Sequence, residues 1–141
     1  MDSDIFLKNL KRGKWSITRE VRDTNGENLV AFSGYLHFYS EGDGYIFLEK
    51  GVLKTLRTEV ESSRMYRYKK INDRCVAVLF EDGKPFYSYD LESYPLFKVN
   101  HLCEPDMYRG SIVFDVNAWT TDWSVKGPTK DFRILTKYNL L

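Results

Sequence analysis

Arg19, Arg64, Tyr66, His101, Asp106 and Tyr108 are the side chains whose types and spacing can do chemistry. Each shares a two-residue alternation with large apolar neighbours, which places it on the same side of an extended strand. Arg19 lies with Trp15, Ile17 and Val21; Arg64 with Tyr66 and Tyr68; His101 with Phe97, Val99 and Cys103; Asp106 and Tyr108 with Ile112 and Phe114. Trp119 and Trp123 occupy the same phase of a later segment, and Tyr138 that of the last one. An unpaired polar group in an interior costs roughly 1–3 kcal/mol, and a charge more. These groups must therefore satisfy one another or face water and a ligand. Arg19 can pair with Glu49 or Asp106, so a wholly structural interior stands as one reading. Buried charge pairs are a poor route to stability, however, and a few convergent polar groups among apolar walls are what a small-molecule cavity requires. A set of tyrosines, arginines, Glu49 and His101 enclosed together can also carry acid–base chemistry.

His101-x-Cys103-x-x-Asp106 raises the question of a metal. Tetrahedral zinc needs three or four protein ligands. The chain has 2 histidines, and His37 falls in a different segment in unsettled phase. A hydrogen-bonded interior histidine is the simpler reading, and no metal and no cofactor are expected. The motifs of a nucleophile elbow, a P-loop and a dinucleotide fingerprint are absent. Gly127-Pro128-Thr129-Lys130 reads as a turn before a strand rather than as an anion site.

What positions these side chains is a succession of short strands. Residues 3–10 form a helix capped by Ser3 or Asp4, with Ile5, Phe6, Leu7 and Leu10 as its apolar face. From residue 14 the period becomes two. Strands are expected at 14–22, 28–40, 45–50, 63–70, 74–80, 86–89, 97–103, 106–116, 118–126 and 132–138. Asp23-Thr24-Asn25-Gly26, Glu41-Gly42-Asp43-Gly44, Glu81-Asp82-Gly83-Lys84, Glu104-Pro105 and Gly127-Pro128 supply the turns. Residues 51–60 suit a strand or a turn of helix, and strand is preferred because the flanking pieces are too close for a crossover. About ten short strands with hairpin-sized connections predict an antiparallel up-and-down barrel, and closure removes exposed sheet edges.

The totals agree. The 141 residues fit one domain spanning 1–141, and 43% hydrophobic and 29% charged residues are ordinary for a globular protein. Aromatics reach 16%, which suits pleated surfaces. A net charge of +1 and a pI near 7.7 argue against a nucleic-acid partner. The acidic start and the lack of a long apolar run argue against a signal peptide or membrane span. Cys75 and Cys103 read as reduced, buried thiols of a cytoplasmic protein. The oligomeric state is not legible.

Gly13-Lys14-Trp15 after a short helix resembles the opening of the calycin superfamily, the lipocalins and fatty-acid-binding proteins. That resemblance implies a barrel in which the tryptophan closes one end and a basic residue of the last strand, Lys130 or Arg133, stacks over it. A fuller pattern resembles a small family of uncharacterised proteins classed as a domain of unknown function. It comprises Gly13-Lys14-Trp15 with Arg19, Phe32-x-Gly34, Tyr45-x-x-x-Glu49-x-Gly51, Arg64-x-Tyr66, His101-x-Cys103-x-x-Asp106-x-Tyr108-x-Gly110, Trp119-x-x-x-Trp123-x-Val125-x-Gly127-Pro128-x-Lys130-Asp131 and Tyr138. The family carries a basic residue where this chain has Thr129, and it implies no activity.

The expectation is a calycin-like barrel that binds a small, partly apolar or aromatic ligand with an anionic or polar group. Arg19, Glu49, Arg64, Tyr66, His101, Asp106, Tyr108, Trp119, Trp123 and Tyr138 are the expected ligand-binding residues. The alternatives are a barrel enzyme, for example one that decarboxylates an aromatic acid, and a scaffold plugged by its own side chains.

Overall fold

A computed structural model describes residues 1–141. Helix α1 (Ser3–Lys11) precedes ten strands: β1 (Trp15–Asp23), β2 (Asn28–Glu41), β3 (Gly44–Lys54), β4 (Glu59–Asn72), β5 (Cys75–Phe80), β6 (Pro85–Asp90), β7 (Leu96–Cys103), β8 (Asp106–Phe114), β9 (Ala118–Lys126) and β10 (Asp131–Leu140). All ten form one antiparallel sheet in the order β6-β5-β4-β3-β2-β1-β10-β9-β8-β7. Neighbours in sequence are neighbours in the sheet, and β1 pairs with β10 from Trp15–Leu140 to Asp23–Phe132. The sheet thus rolls into the expected up-and-down barrel, closed except for a seam between β6 and β7 where no ladder forms.

Residues 51–60 are not a strand of their own. β3 runs on to Lys54, and β4 begins at Glu59. Thr55 and Thr58 make the turn, the Thr55 N–H donating to the Thr58 carbonyl at 2.9 Å and the two hydroxyls bonding at 2.9 Å. Leu56, which looked apolar and internal, is fully exposed at its tip. Threonine hydroxyls here do the work that Asn or Gly does in the other turns.

Helix α1 stops one end of the barrel. Phe6, Leu7 and Leu10 are buried, and Phe6 packs on Tyr89, Phe114 and Phe97 at ring distances of 5.0, 5.2 and 6.3 Å. Ile5, expected on the apolar face, is exposed. The cap is Asp2, whose carboxylate accepts from the Asp4 N–H at 2.8 Å. Ser3 is buried, and its hydroxyl donates to the Asn72 carbonyl at 2.5 Å, which moors the helix to the β4–β5 turn. The nine-residue helix is too short to cross a membrane.

Gly34 and Gly51 face each other across β2 and β3. A Cβ on either would fall inside contact distance of the opposing backbone. The two glycines let the strands close tightly where their inward side chains would otherwise collide.

Candidate functional site

The inward faces enclose a cavity of about 970 Å³. β1 and β10 bring Arg19 beside Thr136, its register partner, and β3 carries Glu49 across from them. The Arg19 Nη2 donates to Glu49 Oε2 at 2.7 Å and to the Tyr138 hydroxyl at 3.2 Å, while Nε donates to Thr136 Oγ1 at 2.8 Å. The Tyr138 hydroxyl donates to the same Glu49 Oε2 at 2.7 Å. Arg19 also lies 5.3 Å over the Phe32 ring. The Arg19 side chain is 12% exposed and that of Glu49 1%. Oε1 of Glu49, equally buried, accepts no hydrogen bond from the protein. Burial works against the Arg19 charge, but Tyr138 and Glu49 outweigh it and raise the pKa of the guanidinium.

Phenols surround this pair. Burial holds Tyr66, Tyr68, Tyr87 and Tyr138 above the usual tyrosine range and pushes Tyr89 up to about 12. Tyr87 and Tyr89 share a hydrogen bond of 3.1 Å between their hydroxyls. Below them Trp119, 3% exposed, stacks on Tyr138 at 4.3 Å and meets Trp15 edge-on at 4.5 Å.

Nearer the mouth the wall is aromatic. Phe86 stacks on Phe80 at 4.5 Å and on Trp123 at 5.2 Å, and His101 meets both phenylalanines edge-on at 5.3 and 5.2 Å. Arg64, the register partner of Glu49, lies exposed at the rim, where its Nη1 donates to the Tyr66 hydroxyl at 3.4 Å. Glu81 and Asp82 share that rim.

Of the expected site residues, Arg19, Glu49, Arg64, Tyr66, His101, Tyr108, Trp119, Trp123 and Tyr138 all line the cavity. Asp106 does not. It shares their strand face, but its carboxylate is bound by Lys130 at 2.9 Å and rests over Gly127, where a side chain would collide with it. Lys130 is therefore engaged with Asp106, and Arg133 with Asp122. The cation over Trp15 comes instead from Arg12, 5.9 Å from the ring, at the end of the helix rather than on the last strand. His37 alternates with inward Leu36 and Phe38 and so faces outward. No group of three or more His, Cys, Asp or Glu stands close enough to hold a metal ion. Cys75 and Cys103 are both free, and Cys103 is exposed at the mouth rather than buried.

Phe80, Phe86, Tyr87, Tyr89 and Phe132, which are not among the expected ligand-binding residues, also line the cavity. Phe132 stood in the inward phase of the last strand and could have been added. Phe86 and Tyr87 are adjacent, so alternation would admit only one of them. The β5–β6 pairing shifts register between Val78 and Leu79, next to where they pair, and both contribute to the wall.

Residues 12–140 match the model of a family described as a family of unknown function, DUF6314. No curated protein matches the chain. Among solved structures, the S-type phycobiliprotein lyase CPES from Guillardia theta is similar with a TM-score of 0.71, over 100% of this chain and 93% of that one. The two are 9% identical, so the likeness is one of fold.

Proposed function

The chain belongs to this family of unknown function, and from that premise we propose that it binds a small, partly aromatic ligand carrying a polar or anionic group inside the barrel. The observation that carries the reading is the cavity of about 970 Å³, with aromatic walls and the Arg19–Glu49–Tyr138 cluster at its depth. Ligand pockets run to roughly 300–1,000 Å³ with few, placed polar groups. A plugged scaffold would leave no such space. Phe86, Trp123 and Tyr66 supply apolar wall for the aromatic part, and Arg64 and His101 offer polar atoms at the rim. The free thiols fit a reducing, cytoplasmic setting.

The enzyme reading draws on the 2.7 Å contact between Tyr138 and Glu49. Burial shifts Tyr138 and its neighbouring phenols away from neutral pH, opposite to what an acid or base working near pH 7 needs. A fold shared with a phycobiliprotein lyase is compatible with either reading and selects neither.

The test is native mass spectrometry of protein purified from its own cells, followed by titration of the released compound with tryptophan fluorescence as the readout. Trp119 and Trp123 both line the cavity, so binding is expected to shift their emission. Phe86→Ala and His101→Ala are each expected to weaken binding by about tenfold, the loss of roughly 1.4 kcal/mol of contact. Binding unchanged in both variants would show that the ligand sits elsewhere.

A further inference from the structure

Glu49 Oε1 is the buried side-chain atom that the fold leaves without a partner. Its twin, Oε2, accepts from both Arg19 and Tyr138. No protein donor reaches Oε1, although Glu49 borders the cavity and its side chain is 1% exposed. A carboxylate oxygen in such a place carries a desolvation cost that a hydrogen bond would remove. Charge points the same way. Arg19 and Glu49 cancel, so an anion brought to this depth would meet no net positive charge and would lie beside a carboxylate. Resting on the ligand-binding reading above, we propose that the deep end of the cavity takes a hydrogen-bond donor, an N–H or O–H on the edge of an aromatic ligand, received by Glu49 Oε1.

It follows that the buried end of the ligand is neutral or cationic, and that an anionic group on it is kept away from Glu49. The class of ligand is an aromatic ring bearing a phenol, an azole N–H, an amide N–H or an amine.

Three probes of matched size separate the cases by isothermal titration calorimetry at pH 7: 2-naphthol, its methyl ether 2-methoxynaphthalene, and 2-naphthoate. The naphthol is expected to bind about tenfold more tightly than the ether, the scale of one hydrogen bond to a charged acceptor. The naphthoate is expected to bind most weakly. In Glu49→Gln the carboxamide keeps the shape but turns an N–H toward the vacant position, and the preference for naphthol over ether is expected to vanish. Equal affinity of naphthol and ether in the wild-type protein overturns the inference, even if Glu49→Gln fails to fold. A preference for naphthoate overturns it too, while leaving ligand binding in the barrel intact. Failure of all three probes to bind overturns this inference, while the ligand-binding reading stands or falls on the compound that co-purifies.

Discussion

Arg19 and Glu49 form the one ion pair in which both side chains are mostly shielded from water, and substitutions there should separate stability from binding. Glu49→Ala leaves a buried guanidinium without a counter-charge, which is expected to cost about 3–5 kcal/mol in urea unfolding. The double variant Arg19→Met, Glu49→Leu removes both charges at similar volume and is expected to match the wild type or exceed it by up to about 4 kcal/mol. A double variant as unstable as Glu49→Ala would show that the pair stabilises the fold. The pairing itself was half legible. Alternation put Arg19 inside and offered Glu49 or Asp106 as its partner, because both fall on inward phases. Phase gives the side of the sheet but not the height along the barrel axis. Height depends on register, and the register sets Asp106 against Cys103 beside the β7–β8 turn, where Lys130 rather than Arg19 meets it.

The hairpins built on Asn-Gly or on glycine turns were legible because positive φ leaves a chemical mark; Gly26, Gly42 and Gly83 all adopt it. The Thr55–Thr58 turn carries no such mark, and β3 and β4 looked like more, shorter segments. The seam was not legible either. Nothing in the composition of β6 or β7 announces that they face each other without a ladder, since the gap follows from how far ten strands roll. Its consequence is local. The strands are held across the seam by rings, Phe86 against His101 at 5.2 Å and Tyr89 against Phe97 at 4.8 Å. Seam-facing amides in β6 and β7 lack sheet partners. Hydrogen exchange should therefore be fastest in Pro85–Asp90 and Leu96–Cys103 and slowest in β1–β3, each paired on both sides. Protection of β6 and β7 equal to that of β1 would mean that the barrel closes fully in solution.

As a whole molecule, the barrel concentrates phenols where water is scarce. Of 10 tyrosines, Tyr66, Tyr68, Tyr87, Tyr89 and Tyr138 are all shifted upward, with burial the largest cause each time. A tyrosine whose pKa is higher folded than unfolded contributes its full stability below the unfolded value of about 10. Above that pH the unfolded chain sheds phenolic protons while the native state retains them, so stability falls as pH rises. The fall ends for each group at its folded value, which for Tyr89 is about 12. Each such phenol adds a slope of up to about 1.4 kcal/mol per pH unit in that window. Urea midpoints are therefore expected to hold between pH 8 and 9.5 and to drop steeply between pH 10 and 11.5. The tyrosinate absorbance of this buried set should appear together with unfolding. Replacing Tyr87 and Tyr89 by phenylalanine removes two of the coupled groups and should flatten the alkaline slope. Tyrosinate absorbance that completes while the protein remains folded would show instead that water reaches these hydroxyls freely, and the interior would then be too wet to hold an aromatic ligand by its apolar surface.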